Sequence, residues 1–177
     1  MANNCTTLVG IALDCRDNVG GIEAVYIANV DTSLAVTSPT LGVVAFGGIT
    51  LDAVTLDATL TAMEKYECVK QTGALTETGT FSDENGTVFF TSVASTVFNK
   101  LDGAKLDELY ELAVSAKLLV LVKDNNGKFW MVGNDRGAVA SASTEETGTA
   151  YGDRNGMTME FTGIDNTPML EVSGVTV

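Results

Sequence analysis

Histidine is missing altogether from this 177-residue chain. Its absence removes the commonest general base, the Ser-His and Cys-His nucleophile pairs, and histidine metal sites. No GxxxxGK[ST] loop is present, and no GxGxxG opens a helix after a strand. Paired carboxylates remain a catalytic option, but 23 acids supply such pairs everywhere and single out none. No catalytic, cofactor-binding or metal-ligating residue is therefore assigned, and the chain is not expected to be an enzyme. Cysteine is sparse: Cys5, Cys15 and Cys68 are odd in number and form no CxxC pair. That weighs against a disulfide framework or a zinc site and favours assembly in a reducing cytoplasm. No run approaches the roughly 18–20 apolar residues that a membrane helix needs. The opening MANNCTTLVG has neither a basic region nor a long apolar segment, so no signal peptide is expected.

Positive charge is also scarce. Ten Lys and Arg face 23 Asp and Glu, for a net charge of −13 and a pI near 4.1. Binding to a phosphate backbone depends on Lys and Arg displacing counterions, so ordinary DNA or RNA binding is not expected. An acidic surface can still serve DNA by repelling it.

What the chain does contain reads as strands and turns. Hydrophobic residues make up 45%, enough for a packed core. Eighteen glycines against two prolines (Pro39 and Pro168), amid many Val and Thr, indicate a mainly β domain. The length suits one domain over 1–177, with arms at 1–20 and 166–177. Residues 5–14 and 21–30 read as strands around the turn chemistry of Asp17-Asn18 and Gly20-Gly21. Between 51 and 62 a repeated Leu-Asp-Ala has period five, which suits a strand broken by a loop or bulge. Residues 63–72 and 87–98 are expected to pair as an extended hairpin whose polar tip is 73–86. Alternation puts Glu64, Tyr66, Cys68 and Lys70 on one face of 63–72, with Lys65, Glu67, Val69 and Gln71 on the other.

One helix is predicted, over LDGAKLDELYELAVSAK. Asp102 is its N-cap, and Leu106, Leu109, Tyr110, Ala113 and Ala116 share a face. Asp107, Glu108 and Glu111 form its solvated side, and Lys117 lies at its end. LLVLV at 118–122 reads as a buried strand turned at DNNG into KFWMVG, where Trp130 belongs to the core or rim of a sheet. A last hairpin at DRNG joins residues near 147–151 to MTMEFTG.

Asp-x-Asn-Gly occurs three times, at 83–86, 124–127 and 153–156. A calcium-binding EF-hand loop needs Gly at its sixth position and a bidentate Glu at its twelfth. Here Gly comes fourth, and the twelfth residue is Ala94, Asp135 or Ile164. Asn-Gly instead supplies residues tolerant of positive φ, and the aspartate accepts a turn amide. These stretches are expected to be corners. Asn4-Cys5-Thr6 and Asn85-Gly86-Thr87 also fit the glycosylation pattern, a triplet that arises often by chance.

Strands, a long hairpin, one amphipathic helix and tightly turned strands follow in that order. From KYECVKQTG through NDRG, and on through TGTAYGDRNGMTMEFTG, the chain resembles the tail tube proteins of tailed bacteriophages, in the style of phages of Bacteroidetes-type hosts. The resemblance covers roughly 60–165. It implies a tail-tube-like β-sandwich or barrel, mainly β (α+β), with a long hairpin and one flanking α-helix. It implies six-membered rings of this chain, stacked into a virion tail tube that assembles in the host cytoplasm, with a tape-measure protein among the partners. Strands 63–72 and 87–98 would enter an inner barrel, and the 73–86 tip would reach the next ring. Glu64, Lys65, Glu67, Lys70, Glu77, Asp83 and Glu84 are the candidate lumen or inter-subunit residues, in a tube through which DNA passes without specific binding. A tail-ring, neck or capsid decoration protein is the nearest alternative, and a β-sandwich module for glycans or calcium is a third.

Overall fold

A computed structural model of the protein describes residues 11, 17–29, 63–134 and 136–172. The predicted strand at 5–14 lies almost wholly outside these residues, and so do the 51–62 repeat, Cys5, Cys15 and most of the N-terminal arm. The described residues form nine strands and one helix in a single antiparallel sheet. In chain order they are β1 (Ile22–Asn29), β2 (Glu64–Glu67), β3 (Ala74–Ser82), β4 (Thr87–Asn99), α1 (Gly103–Val114), β5 (Leu118–Asp124), β6 (Phe129–Val132), β7 (Ala138–Glu146), β8 (Gly156–Asp165) and β9 (Leu170–Val172). The mainly β class with one flanking helix is as the sequence indicated.

The strand order is β2-β1-β5-β7-β8-β4-β3, and β6 pairs with both β5 and β9. The sheet forks at β5. One edge of β5 pairs with β1 along its length, while the other is shared by β6 at Val120–Lys123 and by β7 at Leu118 alone. Two lobes result, β2-β1-β5-β6-β9 and β7-β8-β4-β3, which fold over one core. Phe161, Leu118, Met159, Val120, Val122 and Val132 are its largest fully enclosed apolar side chains, apart from Val25 of β1. Each such residue contributes about 1.5–3 kcal/mol by leaving water. A second cluster of Ala24, Tyr26, Leu121, Met131 and Val172 lies on the opposite face of the first lobe, so β5 is apolar on both sides. This is why LLVLV carries no polar alternation.

β1 shows how one residue reassigns a face. A register shift between Ile22 and Ala24 inserts Glu23 as a bulge. Ile22 then joins Val25 and Ile27 in the main core, although simple alternation groups it with Ala24 and Tyr26.

Several expectations are corrected here. Strand β2 stops at Glu67 and pairs with β1, not with β4. The stretch expected to be a polar tip, 73–86, contains the nine-residue strand β3, which pairs with β4 from Ala74–Ser95 to Ser82–Thr87. The true turn is 83–86 alone. Alternating Thr with Leu75, Glu77, Gly79 and Phe81 makes a half-buried strand, which polarity alone obscured. Residues 68–73 tie the two lobes together: Val69 N donates to Val97 O at 3.0 Å, and a Cβ on Gly73 would fall 2.3 Å from Ile22 Cγ1. The last hairpin also differs. Strand β7 ends at Glu146, so 147–155 is a nine-residue loop where a tight turn was expected. Of the C-terminal arm, Leu170–Val172 is strand β9, paired with β6.

Asp102 caps α1 as expected, its carboxylate accepting from Lys105 N at 3.0 Å. The packed face is not the predicted one. Leu112 is buried and Leu109 rests on the core, while Tyr110 is 67% exposed and Leu106 and Ala113 face solvent. The apolar band, from Leu112 round to Val114, is wider than one packed stripe, so periodicity did not decide which part of it packs. Lys105 lies on the inner side, donating to Asn99 O (2.6 Å) and Lys100 O (2.8 Å) and closing the strand-to-helix turn. The helix ends at Val114, leaving Lys117 beyond its last turn.

Candidate assembly surface

The seven charged residues singled out in sequence do not converge. Lys65 and Glu67 lie on one face of β2, 2.8 Å apart, each stabilising the other's charge: the hydrogen-bonded partner raises the lysine's pKa and lowers the carboxylate's. Glu64 is exposed on the other face, where Tyr66 and Cys68 turn to the main core as alternation required. Lys70 sits in the turn at 70–72. Glu77 faces inward from β3, accepting from Ser92 Oγ at 3.0 Å and from Met169 N at 2.6 Å. Asp83 and Glu84 occupy the exposed β3–β4 turn. These residues fall into separate groups because 63–86 is two strands and two turns, not one strand and a hairpin tip.

Tyr66 joins β2 to the helix. Its hydroxyl donates to Glu108, so Glu108 is tethered although exposed. Burial and the Glu108 carboxylate together hold the phenol pKa above its usual value. Burial also pushes the Cys68 thiol up to about 11, keeping it protonated and unreactive near neutrality.

The corners resolve into three separate structures. At 124–127, Asp124 Oδ1 accepts from Asn126 N and Lys128 N, both at 2.9 Å, and Oδ2 accepts from Trp130 Nε1 at 3.0 Å. Gly127 takes φ +81°. At 153–156 the aspartate serves a different loop: Asp153 Oδ2 accepts from Thr149 N (2.9 Å), Thr149 Oγ1 (2.9 Å) and Ala150 N (2.7 Å). Gly156 is already in β8, where a Cβ would fall 2.2 Å from Phe98 O. At 83–86, Gly86 takes φ +61° and Asp83 accepts no hydrogen bond among the described residues. Among those residues, no three Cys, Asp or Glu side chains gather as a metal site requires.

The surface that sequence reasoning missed is the free side of the second lobe. Within one residue of an antiparallel strand, N–H and C=O point to the same edge, and the edge alternates along the chain. Val97 O accepts from Val69 N on the β3 side, and Lys100 N donates to Asn155 O on the β8 side. Odd-numbered residues of β4 therefore bond toward β3, and even-numbered ones toward β8. The register then leaves Leu75, Glu77, Gly79 and Phe81 with their amides and carbonyls on the outer edge of β3. Among the described residues no strand pairs with that edge.

Beyond the Phe90–Asp165 pair, where β8 ends, the β3–β4 ribbon continues alone. It carries Phe81 (67% exposed) and Val88 (52% exposed), with Phe81 edge-on to Phe90 at 5.9 Å. Its other side continues as a mixed face on which Thr76, Thr78, Thr80, Thr91 and Thr162 alternate with Phe89, Val93 and Ile164. Thr at every second position in LTETGT was the available signal. Comparison of the chain with protein-family models, curated proteins and solved structures finds no match.

Proposed function

We propose that this chain is a structural subunit of a phage tail tube that assembles into stacked rings through which DNA passes. The observation that carries the reading is the outer edge of β3, nine residues long and ending in an apolar ribbon. A free edge of this length is a template for another strand, and the exposed Phe81 and Val88 at its end favour burial against a neighbour. Closing a ring of copies removes such edges. The net charge of −13 supports passage of DNA without adhesion. Other tail proteins, a tape-measure protein among them, would be the partners.

Sedimentation and negative-stain imaging of the concentrated protein test the reading. Hollow tubes support it. Discrete rings that never stack redirect it to a tail-ring or neck component, and a persistent monomer at high concentration overturns it. Phe81→Pro, which removes an outward N–H, is expected to abolish association while leaving the fold intact. Thr80→Pro removes a ladder N–H instead and is expected to destabilise the hairpin. Normal assembly of the Phe81→Pro protein would show that the β3 edge is not the joint.

A further inference from the structure

The three Asn-Gly dipeptides carry the same latent chemistry, and the fold gives them unequal freedom to perform it. We propose that Asn85, at the β3–β4 turn, is a site of spontaneous deamidation, while Asn126 and Asn155 are protected by the fold.

The reaction needs only water. The deprotonated backbone nitrogen of the glycine attacks the asparagine Cγ, the Cγ–Nδ2 bond breaks, and ammonia leaves with the proton. Water then opens the succinimide at either carbonyl, giving aspartate or the β-linked isoaspartate. No oxidant or reductant takes part. Glycine as the next residue leaves that nitrogen unhindered, and the asparagine side chain must be free to rotate onto it.

At Asn85 these conditions are met. The residue is exposed, and among the described residues no hydrogen bond holds its side-chain amide. Among the described residues its one tie is the long 3.3 Å bond from its backbone N to Ser82 Oγ. Nothing lies within 4 Å of where a Cβ on Gly86 would sit, so the turn has room to rearrange.

At Asn126 they fail. Its Nδ2 donates to Asn18 Oδ1 (2.8 Å) and Val19 O (2.9 Å), and its Oδ1 accepts from Val19 N (2.9 Å). They fail at Asn155 for a second reason. Its Oδ1 accepts from Leu101 N (2.9 Å), its backbone O accepts from Lys100 N (2.7 Å), and Gly156 is held in the ladder between β4 and β7. Both need a local opening before the ring can close.

Reaction at Asn85 adds a negative charge beside Asp83 and Glu84, or one extra backbone atom in a four-residue turn, at the end of the exposed ribbon. The site stands whether or not the chain assembles.

The test is peptide mapping by mass spectrometry after incubation of the folded full chain in mildly alkaline buffer, with isoaspartate detected by enzymatic methyl transfer. Asn85 is expected to convert at least about tenfold faster than either other site, the factor that an opening step costing about 1.4 kcal/mol imposes. In denaturant the three rates should converge, because the protection belongs to the fold. Gly86→Ala should slow the reaction at Asn85 in both states. Equal rates in the folded chain, or Asn126 or Asn155 leading, would overturn the proposal.

Discussion

Replacing the leading aspartate of each Asp-x-Asn-Gly stretch with alanine asks whether one sequence motif has one structural role. Asp124 holds two turn amides and the Trp130 indole, whereas Asp83 holds nothing among the described residues. A hydrogen bond to a charged acceptor is worth about 1.5–3 kcal/mol when shielded and far less in water. Asp124 is only partly shielded from water, so its three bonds together should amount to about 2 kcal/mol after screening. For a chain of this size that loss lowers the thermal midpoint by about 4–8 °C. Asp83→Ala should leave the midpoint within experimental scatter, and Asp153→Ala should fall between the two. Thermal melts followed by circular dichroism give the ranking.

The pH dependence provides a second, independent readout. Burial would raise the Asp124 pKa, but bonds from Trp130, Lys128 and Asn126 outweigh it and hold the carboxyl below its ordinary 3.8. The Asp153 carboxyl is lowered by the amides of Ala150 and Thr149 and by the Thr149 hydroxyl. A carboxyl lowered in the folded state releases its proton more readily there than in the unfolded chain. Its stabilisation is complete above the ordinary carboxylate pKa and is lost as pH falls through the folded value. The gap between wild type and Asp124→Ala should therefore be widest near neutrality and shrink below about pH 4. Equal damage from Asp83→Ala and Asp124→Ala, or a gap that ignores acid, would refute this account of the corners.

Two further expectations follow from packing. Leu112→Ala should cost about 2–4 kcal/mol in denaturant titrations, whereas Leu106→Ala, on the helix face first expected to pack, should cost under about 1 kcal/mol; the reverse order would mean the helix is rotated. Gly133 takes φ +76°, and a Cβ there would meet Gly137 C at 2.3 Å. Gly133→Ala should therefore destabilise by at least about 2 kcal/mol, and a wild-type melting curve would contradict the tight backbone crossing.

Much of the fold was legible where one local rule decided the matter. LLVLV, too short and too β-branched for a helix, became β5, and DNNG with an apolar run on either side became the β5–β6 hairpin. Asp102 before a run of helix formers became the N-cap. Legibility failed where two rules competed. The Thr-rich 73–86 segment was polar enough for a loop and alternating enough for a strand, and pairing with β4 settled it. DRNG had the letters of a turn, yet its glycine is required by the close approach of Phe98 O, a contact from a distant strand. The candidate charged residues were grouped because they are neighbours in sequence, yet the chain reverses twice among them.

The sequence by itself determined the class of protein: no histidine chemistry, a strongly acidic surface, strands punctuated by glycine and asparagine, and one capped helix. Composition and short-range stereochemistry act within a few residues, so they can be read without knowing the partners. Which edges pair, which helix stripe is covered and which asparagine is left free were decided only in three dimensions. Those outcomes depend on segments far apart in the chain competing for the same hydrogen bonds and the same core, and β3 emerges from that competition with one edge still open among the described residues.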